Sequence, residues 1–373
     1  MKIKVNTHIF KDAMEKVLKV TAKKSSVPIL ENVLIQPSGG DLYLSATNLE
    51  QSVKIRISAE TTDDIGFAFS DTKSLLKAMK FFFDDFITLE YGERETELNG
   101  NKAKVGEITI SCGGRKAKQE VYSADEFPLF PKLEGDLTND LTYNNSKLKE
   151  RFNSVKYAVS GDTNRPAYCG IYFRETDMAA TDTHRFALNI DLAFSVAESF
   201  SVPCKAINLV NEILGESLLI KTTKKYIQFS DREDNITVIS RLCEGVYADY
   251  PRYIRNRGCR EVTVNAENFS SGVKYLKIFA PSKEKFDIAW FKDKLGFKTA
   301  GGYHESEVDV DGDMDIELQF NGSYMLDALA QFKRNIIINT GNSMSQIIIT
   351  SEADPNNTAI VSPVRPVTKL FER

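Results

Sequence analysis

One pattern recurs six times along this chain: a short alternating strand, a polar turn residue, then an amphipathic helix. The copies begin at Ile3-Lys4-Val5-Asn6, Phe67-Ala68-Phe69-Ser70, Leu141-Thr142-Tyr143-Asn144, Ser201-Val202-Pro203, Val262-Thr263-Val264-Asn265 and Leu318-Gln319-Phe320-Asn321. Residues 5, 69, 143, 202, 264 and 320 hold the same place in each copy, so the interval runs from 56 to 74 residues. A repeat of that size constrains the fold more than any local propensity. Helix-period apolar faces follow each turn: Phe10, Ala13, Met14 and Val17 in the first copy, Phe269, Val273 and Leu276 in the fifth. The Asn and Ser residues at the turns suit the unpaired N–H groups of a helix start.

Between the helices the chain alternates as strands do, at Val33-Leu34-Ile35-Gln36, Leu42-Tyr43-Leu44-Ser45 and Ile347-Ile348-Ile349. Ser38-Gly39-Gly40-Asp41 and Cys112-Gly113-Gly114-Arg115 read as turns. So much sheet excludes a helical solenoid. Two copies make one α+β domain, with helices on one sheet face. Six copies give three similar domains, expected at 1–135, 136–258 and 259–373, with joins near 133–138 and 256–258.

Charge then separates the helices from the rest. Over 10–24, 71–83, 146–157, 203–216, 266–278 and 323–335 there are 17 Lys and Arg against 8 Asp and Glu, a balance of +9. The remainder carries −13, which returns the chain to its net −4. If the helices share one side, that side is a positive field within an acidic shell, suited to a polyanion bound without regard to sequence. The alternative is lysines that favour helices and merely solvate them.

Five cysteines, odd in number and never in a C-x-x-C pair, point away from a disulfide framework or zinc ribbon and toward a reduced cytoplasm. No apolar run reaches the roughly 18 residues of a membrane span, and the start at Met1-Lys2-Ile3 goes straight into strand pattern, so no membrane association or export is expected.

Seven stretches resemble one family in its order: Pro28-Ile29-Leu30-Glu31-Asn32-Val33-Leu34-Ile35, Ala46-Thr47-Asn48-Leu49-Glu50, Asp125-Glu126-Phe127-Pro128, Ala180-Thr181-Asp182-Thr183-His184-Arg185-Phe186-Ala187, Glu244-Gly245-Val246-Tyr247-Ala248-Asp249-Tyr250, Tyr324-Met325-Leu326-Asp327-Ala328-Leu329 and Pro363-Val364-Arg365. They resemble the bacterial DNA polymerase III beta subunit, the beta sliding clamp. The resemblance implies three similar domains per chain and two chains closed head to tail as a homodimeric ring. Helices would line a hole that admits double-stranded DNA. It implies a non-catalytic processivity factor, with no cofactor, no metal and no catalytic residue. Its partners would be a replicative DNA polymerase, an ATP-dependent clamp loader and other proteins carrying a clamp-binding peptide.

The same resemblance assigns a partner-peptide pocket to Thr181, Thr183, His184, Arg185 and Phe186, to Ala248, Arg252 and Tyr253, and to Ile360, Val361, Ser362, Pro363, Val364 and Arg365. It places Lys24 and Arg165 in loops that face DNA. Helix charge adds Lys11, Lys77, Lys80, Lys147, Lys149, Lys274 and Lys277 as DNA contacts. Three departures stand out. Ser362 replaces an apolar residue, residues 366–373 extend past the usual end, and Lys116-Ala117-Lys118-Gln119 lacks the large apolar side chains of a ring-closing strand. A clamp-derived scaffold that no longer encircles DNA, or an enzyme using His184 and Asp182, are the competing readings. No G-x-x-x-x-G-K-[ST], H-E-x-x-H or G-x-S-x-G occurs. The acidic run from Asp309 to Asp315 lacks calcium-loop spacing and reads as a β-turn.

Overall fold

A computed structural model describes the chain except for residues 23, 99–100, 134, 256–257, 259, 280–284, 292–293, 299–304, 313–315, 343 and 365–373. The fold is α+β. Among the described residues six helices each follow a strand, five directly and α2 after two residues: α1 (Thr7–Leu18), α2 (Thr72–Ala78), α3 (Asn145–Val155), α4 (Cys204–Ile213), α6 (Ala266–Lys277) and α7 (Gly322–Leu329). A short α5 (Pro251–Arg255) lies between α4 and α6, outside the repeat.

Side-chain caps explain where the repeat helices begin. The Asn6 amide oxygen accepts from the N–H groups of His8 and Ile9 at 3.0 and 3.1 Å. Asn144, Asn265 and Asn321 cap α3, α6 and α7 in the same way. In the second copy the cap is Asp71, which accepts from Ser74 N at 2.9 Å. Ser70 instead donates its hydroxyl to the Glu120 carbonyl. Helix ends are shorter than the periodicity alone implies. After Leu18 the bonds tighten to i−3, from Val20 N to Val17 O and Thr21 N to Leu18 O, so the first helix stops well before residue 24.

Apolar faces are buried as the spacing requires. Phe10, Ala13, Met14 and Val17 of α1, and Phe269, Val273 and Leu276 of α6, are at most 2% exposed. Each large side chain so buried contributes about 1.5–3 kcal/mol. One helix cation is internal. Arg151 of α3 donates from Nε to Asn189 Oδ1 at 2.7 Å and from Nη2 to the Thr176 carbonyl at 2.7 Å. It therefore anchors its helix to a sheet and does not join the basic surface.

The contacts divide the chain into two compact units, Met1–Leu148 with Lys205–Leu242, and Lys149–Cys204 with Cys243–Arg373. In the first, thirteen strands form one sheet. Four of its strands, from 139–241, join the other nine, from 2–123, through the antiparallel ladder between Gln51–Ser58 and Ile236–Arg241, where Val53 faces Val238. The second contains an eight-stranded sheet, continuous through the ladder between Arg185–Ile190 and Asn357–Val361, and a four-stranded sheet ending on Glu305–Asp309. Sheets thus run through the places where one repeat pair meets the next.

Candidate functional site

The turn between strands Asp177–Thr181 and Arg185–Ile190 is built almost wholly from its own side chains. Thr181 donates its hydroxyl to the Arg185 carbonyl at 2.7 Å and accepts from Thr183 N at 3.0 Å. Asp182 Oδ1 accepts from the N–H groups of His184 and Arg185 at 3.0 and 2.9 Å. Thr183 is held at φ 76°, a left-handed backbone uncommon outside glycine. With both turn ends fixed, His184 and Thr183 are presented to solvent.

Arg185 is the centre of the site. Its Nε donates to Asp182 Oδ2 at 2.9 Å and its Nη1 donates to Asp327 of α7. The guanidinium lies 4.5 Å from the Tyr324 ring centroid and 5.6 Å from that of Tyr157. Tyr324 also stacks on His184, centroids 6.0 Å apart. The phenol of Tyr157 is pushed up in pKa by burial, with Arg185 pulling the other way and the two aspartates adding to the rise. It stays a neutral hydroxyl at physiological pH. Asp182 is engaged by the turn and by Arg185.

The C-terminal segment docks on this turn. Arg185 pairs with Val361 and Phe186 with Ile360 in the sheet, and Ser362 N donates to the His184 carbonyl at 2.9 Å. Pro363 bridges Phe320, and Val364 N donates to Gln319 O at 2.7 Å. Ile360 and Val361 are core residues, 2% and 0% exposed, whereas Ser362, Pro363 and Val364 are half-buried. Phe186 packs on Tyr250 at 5.1 Å, and Tyr250 donates its hydroxyl to Asp177 at 2.5 Å. Tyr250 N bonds the Ala248 carbonyl, which ties that residue in. Arg252 is exposed and pairs with Asp249 at 2.8 Å. Arg365 and the side chain of Tyr253 lie outside the described residues.

Thus the turn, the segment 360–364 and the 247–252 stretch meet in one compact unit. Thr181 is there as a strut, its hydroxyl spent on backbone. Sequence reading missed Tyr157, Tyr324 and Asp327 as members. The Tyr324–Leu329 stretch carried a signal, since it was among the family-like motifs. Tyr157 carried none, because nothing local marks a tyrosine after a helix as the neighbour of an arginine 28 positions on. Cavities of about 470 and 630 Å³ lie elsewhere, one beside α1 and one beside Thr263, and contain none of these residues.

The first unit repeats the same turn. Thr47 donates to the Gln51 carbonyl at 2.9 Å and accepts from Leu49 N at 3.0 Å. Asn48 Oδ1 accepts from Glu50 N and Gln51 N at 3.0 and 2.8 Å, and Leu49 has φ 72°. Arg241 N donates to Glu50 O at 3.0 Å, as Ser362 N does to His184 O. The two turns are the same device with different side chains.

Of the basic residues, Lys24, Lys77, Lys80, Lys147, Lys149, Arg165 and Lys274 are exposed. Lys11 is half-buried, and Lys277 donates to Ser323 of α7 at 2.9 Å. Lys80 lies just past α2, in a 3-10 turn. Arg165 sits 3.7 Å from Asp162 across its loop. Lys16 and Lys19, by contrast, are neutralised by Asp12 and Glu212, both at 2.7 Å.

Known proteins resemble this chain from end to end. Residues 1–131 match the family model of the DNA polymerase III beta subunit, N-terminal domain, and 142–249 that of its central domain. A beta sliding clamp of Staphylococcus epidermidis is 23% identical over 98% of this chain and 99% of its own length. One from Streptococcus pneumoniae is 21% identical, covering 97% and 98%. A solved sliding clamp from Caulobacter crescentus superposes with a TM-score of 0.85, at 21% identity, over 98% of this chain and 100% of that one. A Bartonella birtlesii clamp bound to griselimycin gives 0.82, at 22% identity, with 98% and 100% covered.

Proposed function

The chain belongs to the family of the DNA polymerase III beta subunit, the sliding clamp of DNA replication, and we propose that it does this work as two copies closed head to tail around duplex DNA. What carries the reading is that the likeness to a beta sliding clamp runs over 98% of this chain and 99% of the relative's length. The domain division at 1–135, 136–258 and 259–373 goes with it, and six helices per chain become twelve in the ring.

A ring holds DNA by topology, so its contacts can be weak. Exposed lysines on α2, α3 and α6, with Lys24 and Arg165 in loops, suit phosphate attraction that positions without reading bases. Partners carrying an extended peptide dock at the turn that presents His184, beside Tyr324 and Ser362. A polymerase tethered there stays at high local concentration near the primer end, and rebinding outruns escape. No bond is made or broken by the clamp. As the family resemblance implies, a separate ATP-dependent loader opens it.

Two open strand edges support the closure. From Arg115 to Lys118 one side of strand Arg115–Ser123 is unpaired among the described residues, and Arg115, Lys116 and Lys118 are exposed there. Glu305–Asp309 ends the four-stranded sheet with Glu307 and Asp309 exposed. Each edge has unburied apolar neighbours: Phe83, 71% exposed with Arg115 over its ring, and Ile278, 75% exposed at the end of α6, which packs on 305–309. A basic edge of one protomer meeting an acidic edge of its partner closes the ring by charge and strand pairing where large apolar strand residues are lacking.

Retention on DNA tests this. Loaded on nicked circular DNA, the protein should stay through gel filtration and be lost once the circle is cut. Equal loss from circle and line, with peptide binding intact, would establish the scaffold reading instead.

A further inference from the structure

Three of the five cysteines, remote in sequence, converge in the second unit. Gly170 pairs with Pro203 in the ladder between strands Gly170–Glu175 and Val196–Pro203, which sets Cys169 and Cys204 at the same end of that ladder. Cys243 arrives from a third segment, its N–H donating to the Ser201 carbonyl at 2.8 Å. Its sulfur enters the space a side chain at 170 would need: a Cβ on Gly170 would lie 2.7 Å from Cys243 Sγ and closer still to the Val202 carbonyl oxygen. Glycine at 170 leaves room for that thiol against the end of the ladder, where Gly170 pairs with Pro203, the residue before Cys204.

We infer that Cys204 and Cys243 form a modification site, a dithiol that low-molecular-weight disulfides oxidise to an intrachain disulfide. The thiolate of one cysteine attacks the reagent's sulfur and releases one reduced thiol. The second cysteine then displaces the other, so two protein S–H bonds are exchanged for one S–S bond. Two electrons and two protons leave with the reagent, as two thiols. Cys169 is the alternative partner, but its thiol donates to the Asp162 carbonyl at 3.2 Å and belongs to the loop of Arg165.

Surroundings set the character of this pair. Burial, then the neighbouring Cys243, push the Cys204 thiol up to about 12. A thiol so reluctant to ionise reacts slowly, and by the same token its disulfide is hard to reduce. The linkage also has a structural consequence. Lys205–Leu242, the stretch between the two cysteines, belongs to the first unit with Met1–Leu148, whereas both cysteines belong to the second. A disulfide would tie off the base of that excursion, and closing a loop of such length stabilises by limiting the unfolded chain.

The full-length protein, incubated with excess oxidised glutathione, is digested without reduction and its linked peptides are identified by mass spectrometry. A Cys204–Cys243 linkage is expected, with a melting temperature higher by on the order of 5 °C that returns on adding dithiothreitol. Cys169→Ser should leave both effects intact, and either Cys204→Ser or Cys243→Ser should remove both. A Cys169–Cys204 linkage, glutathione adducts alone, or unreacted thiols in the folded chain when the unfolded chain reacts would each overturn the inference.

Discussion

Asp71 shows what a single residue contributes and how its effect depends on pH. The Ser74 hydroxyl and N–H hold its carboxyl below the usual carboxylate range, since both bonds favour the ionised form. Its contribution to α2 is therefore complete above the unfolded pKa of about 4 and fades as pH falls through the lower folded value. Asp71→Ala should cost about 1 kcal/mol at neutral pH and much less in acid, read from denaturant unfolding at several pH values. That a polar residue caps this helix was legible in the sequence; that it is Asp71 and not Ser70 was not, because both side chains suit the task and the Glu120 carbonyl, distant in sequence, decides. Arg151 and Tyr157 were illegible for the same reason. Their roles rest on Asn189 and on Arg185, partners that only the folded chain supplies.

At the scale of elements, the six strand–helix units were readable because apolar spacing recurs at every copy and a capping Asn precedes four of the helices. Strand partners were not, since alternation says which face is buried and nothing about which edge lies next to which. Hence the ladder of Gln51–Ser58 with Ile236–Arg241 had no counterpart in the sequence reading. The two open edges carry their own prediction. Lys116→Glu should raise the dimer dissociation constant about tenfold by analytical ultracentrifugation, and Asp309→Lys in the same chain should recover most of it. Failure of the pair to recover would place the closing contact somewhere else. If Phe83 and Ile278 act at the same seams, raising the salt should weaken closure without abolishing it, since apolar contacts need no charge partner.

For the whole molecule, folding withdraws some helix cations from the surface and leaves others on it. Arg151 is internal and Lys16 and Lys19 are paired, yet Lys77, Lys80, Lys147, Lys149 and Lys274 remain exposed. Changing Lys77, Lys80 and Lys274 to Gln should flatten the salt dependence of DNA binding, with a slope shallower by roughly 0.9 for each phosphate no longer neutralised. Residence on a closed circle should hardly change, because enclosure and not attraction sets it. A slope unchanged by the triple substitution would remove those lysines from the DNA path. Duplication reaches down to the turns as well. Thr47–Gln51 and Thr181–Arg185 share one backbone bonding pattern, while the outward side chains differ, Leu49 and Glu50 in one and Thr183 and His184 in the other. The backbone mount is thus standardised and the fitting on it exchangeable. A second handle on this molecule would call for new fittings on the Leu49 mount, with no new loop to design.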